Sequence, residues 1–134
     1  VTSMFEENGF ESKEIKKREK EIEEISKLIG FDKVFKLGFP STKLSSENLG
    51  KLISELSNCL KIFEPSEIFL PHPSDSHSDH RIVFEAAASC SKWFRSPFIK
   101  RILSYETISE TNISLYKDKN FNPNFYVDIS KNLY

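Results

Sequence analysis

EIFLPHPSDSHSDHRIVFEAAASC, residues 67–90, changes character twice along its length. Glu67–Leu70 is a short apolar run set between Pro65 and Pro71, which predicts a strand. From Asp79 the pattern becomes helical: Val83, Ala87 and Cys90, then Phe94 beyond the quoted stretch, recur at spacings of three and four. The segment between the strand and the helix holds all three histidines of the chain, His72, His77 and His80, together with Asp75 and Asp79. Strand, loop and helix in that order form one βα unit, and open α/β sheets bind ligands beyond the carboxyl ends of their strands.

Upstream, Leu49, Leu52, Ile53, Leu56, Leu60 and Phe63 form one apolar stripe, which predicts a helix from Ser46 to Phe63 stopped by Pro65. Lys33–Phe39 alternates apolar and polar residues and predicts a strand ended by Gly38 and Pro40. Ser12–Ile29 reads as an amphipathic helix, with Ile15, Ile22, Ile25, Leu28 and Ile29 on one side and Lys and Glu on the other. Ser12 suits its N-cap and Gly30 the left-handed position past its end. Downstream, Arg101–Thr107 predicts a strand, Asn120–Asn124 a turn-rich connection and Phe125–Ile129 a last strand. The order α-β-α-β-α-β-β argues for an α/β domain with a mainly parallel sheet and helices on its faces. The pattern opens on a helix, so the strand expected before it is read as missing from this chain, and residues 1–134 as one domain truncated at its N-terminus and at its C-terminus too.

Composition narrows the function. At 134 residues with 38% apolar and 29% charged residues, the chain can build a core and is too apolar for intrinsic disorder. Nineteen basic residues against twenty acidic ones leave a net charge of -1, so nucleic acid is not an expected partner. No apolar run approaches the roughly 18 residues of a transmembrane segment, and no leader opens the chain. Cys59 and Cys90 both lie in helix-like patterns, which favours a reducing, cytoplasmic setting over a disulfide scaffold. Cys90 reads as a small buried apolar residue, and Trp93 and Phe94 as core or helix-packing residues.

The loop admits three readings. As a capped turn, Ser78 or Asp79 is the N-cap and the histidines face water. As a metal site, the imidazoles and carboxylates are donors, with His77 and His80 on one side of a first helical turn and Asp75 or Asp79 holding a ring nitrogen. As a nucleophilic triad it uses Ser76 or Ser78, but neither lies in a G-x-S-x-G turn. Three histidines beside two aspartates at a strand's carboxyl end favour the metal. A catalytic zinc takes three protein ligands, and the rest of the chain has no further histidine.

The stretch LPHPSDSHSDHRIVFEAA resembles the HxDH signature of the LmbE/PIG-L family of zinc-dependent de-N-acetylases. REKEIEEISKLIGF (Arg18–Phe31) is similar to the family's RxxE helix, LGFPSTKL (Leu37–Leu44) to its following loop, and SYETISET and FNPNFYVDIS to its late strands. The resemblance implies a three-layer Rossmann-like fold and a metal-dependent hydrolase that removes the acetyl group from an N-acetylated sugar or sugar conjugate in amino-sugar or polysaccharide metabolism. It implies Zn2+, or another divalent metal, on His80, with His77 stabilising the oxyanion or acting as an acid and Asp79 orienting it. It implies substrate binding by Arg18, with Glu21 its RxxE partner. The family's HPDD motif, source of a histidine ligand, an aspartate ligand and the aspartate base, is not in the sequence. The 134-residue chain is therefore expected to be inactive alone; the alternative is a degenerate relative that binds a sugar or a partner without hydrolysis. The partner is expected to be a small N-acetyl sugar or glycoconjugate, and a homo-oligomer is compatible with the exposed sheet edges a missing strand would leave.

Overall fold

The computed structural model describes residues 2–3, 9, 11–113 and 120–132. In chain order the elements are β1 (Thr2–Ser3), α1 (Ser12–Ile29), β2 (Phe39–Pro40), α2 (Leu49–Phe63), β3 (Glu67–Pro71), α3 (Ser78–Cys90), β4 (Arg101–Tyr105) and a 3-10 turn at Ser130–Asn132. β1 pairs with β2 and β3 pairs with β4, both in parallel. The α/β class and the parallel pairing agree with the sequence; the described strands form two two-stranded ladders. None of the described helices is long and apolar enough to cross a membrane.

The helices follow their patterns closely. α1 spans the predicted residues and ends on Gly30 at φ 77°, a conformation glycine adopts without the Cβ penalty. Its first turn is capped from Glu11 and not from Ser12, with the Glu14 carboxylate accepting the Glu11 N–H at 2.9 Å. α2 starts at Leu49, because the Asn48 side chain is spent on the preceding turn, accepting from Ser45 N and donating to the Lys43 carbonyl. α3 stops at Cys90, short of Phe94, where the Ser91 hydroxyl turns back onto the Ala87 carbonyl at 2.6 Å. Trp93 and Phe94 therefore leave the helix register. They stand 81% and 60% exposed, edge-to-face on one another, which corrects their reading as packing residues.

The strands depart further. Among the described residues, pairing in the predicted strand over Lys33–Phe39 is confined to Phe39–Pro40, which lie across from Thr2 and Ser3, and Gly38 turns the backbone to φ 69°. Those two paired residues also show that strand precedes α1, where none was expected in this chain. Among the described residues Phe125–Ile129 pairs with no other strand, and Phe125, Tyr126, Val127 and Ile129 are all at least half exposed.

The core lies between α2, α3 and the loop after β2. Phe39, Leu44, Leu52 and Ala86 are buried together, with Leu49, Ile53, Leu56, Ile82 and Val83 packed around them. Cys90 is buried against α2, its thiol donating to the Ile53 carbonyl and accepting from the Ser57 hydroxyl. α3 also rests on β3, and this fixes the helix's first turn just past the strand's carboxyl end.

Candidate active site

β3 ends at Pro71 and α3 begins at Ser78, so residues 72–77 bridge a strand's carboxyl end to a helix N-terminus. The bridge is held from three sides. Within it, Asp75 N donates to the His72 carbonyl at 3.2 Å and Ser74 N to His72 Nδ1 at 3.2 Å. From α3, Arg81 Nη1 donates to the carbonyls of Asp75 and Ser76 at 2.7 and 2.8 Å. From the turn after β4, the Glu110 carbonyl accepts Ser76 N at 3.0 Å and the Glu110 carboxylate accepts the Ser76 hydroxyl.

Asp75 is the centre of this arrangement. It is 1% exposed; its Oδ2 meets His80 Nδ1 at 2.8 Å, and its Oδ1 accepts from the Thr111 hydroxyl at 2.7 Å. Thr111 is itself buried, and its oxygen accepts Thr107 N at 2.8 Å. The relay Thr107–Thr111–Asp75–His80 fixes the imidazole's plane. Because Nδ1 faces a carboxylate, Nδ1 carries the proton and Nε2 presents its lone pair. This is how a carboxylate prepares a histidine to bind a metal or accept a proton.

His77 is set the other way. As N-cap of α3 it accepts Asp79 N on its own Nδ1 at 3.1 Å, so in the neutral ring the proton lies on Nε2, free to be donated. The two rings stack at 5.0 Å between centroids. Asp79 is 3% exposed, and its carboxylate takes the backbone N–H groups of Thr42 at 2.7 Å and Leu44 at 3.3 Å. It therefore reaches His77 through its backbone N–H, while its carboxylate ties the loop after β2 to the site; this differs from the expected orientation of His77 by the Asp79 carboxylate. Thr42 is held there at φ 63°, a left-handed conformation costly for a β-branched residue.

His77, Asp79 and His80 are thus brought together. Arg18 is not joined to them by any described contact: it lies on α1, paired with Glu21 at 3.3 Å, beside an open apolar hollow that includes Ile22, Ile25, Phe31 and Val34. The sequence reading gave no role to Arg81, Glu110 or Thr111, and left Asp75 as one of two orienting carboxylates. The late SYETISET segment carries the Glu110 and Thr111 hydroxyl and carboxylate chemistry, but only the fold brings it to residues 75 and 76. Tyr105, at the end of β4, is also close: burial first, and the Asp75 charge second, push its hydroxyl above the ordinary tyrosine range.

His80 suits a divalent metal as one ligand. A complete catalytic zinc site needs about three protein ligands, and among the described residues no group of three or more His, Cys, Asp or Glu side chains is arranged to hold a metal. Asp75 and Asp79 are committed to Thr111 and to the Thr42 and Leu44 amides. The described donors do not make a closed metal site.

No curated protein and no solved structure matches the chain. A family profile, GlcNAc-PI de-N-acetylase, matches residues 3–91, from β1 through the end of α3. That span covers two-thirds of the sequence and includes the whole 72–80 site, and the chain belongs to the PIG-L family of GlcNAc-PI de-N-acetylases.

Proposed function

We propose that the 72–80 loop is the working part of a de-N-acetylase that hydrolyses the acetamide of an N-acetylated sugar or sugar conjugate, with zinc or another divalent metal held in part by His80. The observation that carries this reading is the Asp75–His80 pair, buried on the carboxylate side and open on the imidazole side, with side-chain exposure of 0% and 29%. In the reaction, water adds to the acetyl carbonyl, the C–N bond breaks, and acetate and the free amine leave. His77 Nε2–H is the donor for the anionic carbonyl oxygen or for the departing nitrogen. Asp79 acts by holding the 42–44 loop and presenting its N–H to His77, and we keep Arg18 as a substrate contact on α1. We read β3, β4 and α3 as part of a three-layer Rossmann-like fold within one domain, a mainly parallel sheet with helices on both faces, supported by the parallel pairing and by the exposed Phe69 and Ile102.

Zinc affinity measured by competition with a chromophoric chelator tests the reading. His80→Ala is expected to abolish competitive binding, and Asp75→Asn to weaken it about 10- to 100-fold by freeing the ring. Unchanged affinity in His80→Ala overturns the proposal. The incomplete set of donors favours a second reading, a sugar-binding relative without turnover. Acetate release by the purified 134-residue chain with added zinc excludes that second reading.

A further inference from the structure

Lys92–Arg95 is a tight turn, closed by Arg95 N donating to the Lys92 carbonyl at 2.7 Å. Its two central residues are Trp93 and Phe94, 81% and 60% exposed and edge-to-face at 5.8 Å between centroids. Turns ordinarily place Gly, Asn, Asp, Ser or Pro there, residues that suit both the bend and water. The tip is held from behind. Ser96 N donates to the Lys92 carbonyl at 3.0 Å, and the buried Ser96 hydroxyl donates to the Cys90 carbonyl at 3.0 Å. Two large apolar rings thus stand in water on a braced turn. We propose that this tip docks the chain on an anionic phospholipid surface, Trp93 and Phe94 entering the headgroup layer and Lys92 and Arg95 pairing with the headgroups.

Charge selects this partner. Residues 86–105 hold Lys92, Arg95, Lys100 and Arg101 and no acidic residue, in a chain whose net charge is -1. Arg101 is spent on Glu67, and Lys61, which shares a hollow with Arg95, is offset by Glu64 three residues on. Lys92 and Arg95 flank the rings directly, both exposed, with the Arg95 guanidinium 5.8 Å from the centre of the Phe94 ring. Anionic headgroups attract such a cluster, and a Trp ring settles at the boundary of headgroups and acyl chains. Lys and Arg keep their charged heads among the headgroups while their stems follow the rings inward. A nucleic-acid strand fits less well, because it runs along a groove and stacks on open ring faces, whereas these rings project from a tip at 87° to one another. The inference is independent of the de-N-acetylase reading. α3 runs from Ser78 to Cys90, and its 13 residues span about 20 Å, so the tip lies at the other end of the helix from His77 and His80. Docking there leaves the 72–80 loop uncovered.

Trp93 is the chain's single tryptophan, so its fluorescence reports on the tip alone. The whole chain is titrated with vesicles of phosphatidylcholine containing about one-third phosphatidylserine, and with vesicles of phosphatidylcholine alone. The mixed vesicles are expected to shift the emission to the blue. Neutral vesicles are expected to bind at least about tenfold more weakly, and added salt to weaken binding to the mixed ones. In vesicle sedimentation, Trp93→Ala and the double variant Lys92→Glu/Arg95→Glu are each expected to lose about tenfold in affinity. All three side chains are exposed, and circular dichroism confirms that each variant is folded. A blue shift that grows with protein concentration without vesicles assigns the tip to a second copy and overturns the proposal. Absence of a shift with mixed vesicles, equal binding to neutral ones, unchanged sedimentation of either variant, or preference for single-stranded RNA over vesicles does so too.

Discussion

Asp75 has no exposed side-chain surface and satisfies two neighbours, so its replacement separates holding from packing. In Asp75→Ala the His80 ring can turn toward water, but the Thr111 hydroxyl is buried and loses its acceptor. An unpaired buried polar group costs about 1–3 kcal/mol, and urea unfolding of Asp75→Ala is expected to show a loss in that range. Tyr105 gives a second expectation at this scale. Its folded hydroxyl titrates above the unfolded value near 10, so the stability it contributes is complete below that pH and is lost as pH rises through the folded value. Phenolate absorbance is expected to show one of the four tyrosines titrating late, and Asp75→Asn is expected to bring it part of the way back, leaving the larger effect of burial. His77 and His80 were legible in sequence because their spacing and the helix start are local. The partners that set their tautomers were not: Thr111 comes from 36 residues beyond Asp75, and no pattern around either residue announces the contact.

Helices and strands differ in how much a sequence reveals. α1, α2 and α3 carry their hydrogen bonds within one segment, so stripes and end residues located them to within a few positions. A strand needs a partner; Lys33–Gly38 and Phe125–Ile129 have suitable alternation but no described backbone across from them. The loop between β2 and α2 is held by α3 through one side chain, Asp79, whose two oxygens accept Thr42 N and Leu44 N. Asp79→Ala removes both acceptors and leaves Leu44 N in a buried place, for an expected cost of about 1–3 kcal/mol. Asp79→Asn keeps one acceptor oxygen and is expected to fall between the alanine variant and wild type. If thermal unfolding shows the two variants equal to wild type, the loop is held by its apolar contacts at Phe39 and Leu44 instead.

Across the whole molecule, burial is uneven. Leu52, Ala86, Phe39 and Leu44 share one cluster, whereas Leu28 on α1 and Ile108 after β4 are more than four-fifths exposed, and α1 has no buried residue. Stability is therefore concentrated where α2 crosses α3, and equal substitutions at equal-sized leucines separate the two regions. Leu52 is fully buried, so Leu52→Ala loses both transfer energy and packing around the vacated volume, about 2–5 kcal/mol. Leu28→Ala removes a side chain that water already covers and is expected within about 0.5 kcal/mol of wild type. The single tryptophan is a poor reporter, since Trp93 is 81% exposed in the folded chain and changes its surroundings little on unfolding. The total helical signal, to which α1, α2 and α3 all contribute, is the proper readout, followed in urea by far-ultraviolet circular dichroism. A Leu28→Ala loss as large as that of Leu52→Ala would mean that the α1 stripe is covered in solution, and the concentration dependence of the midpoint would then tell whether a second copy covers it.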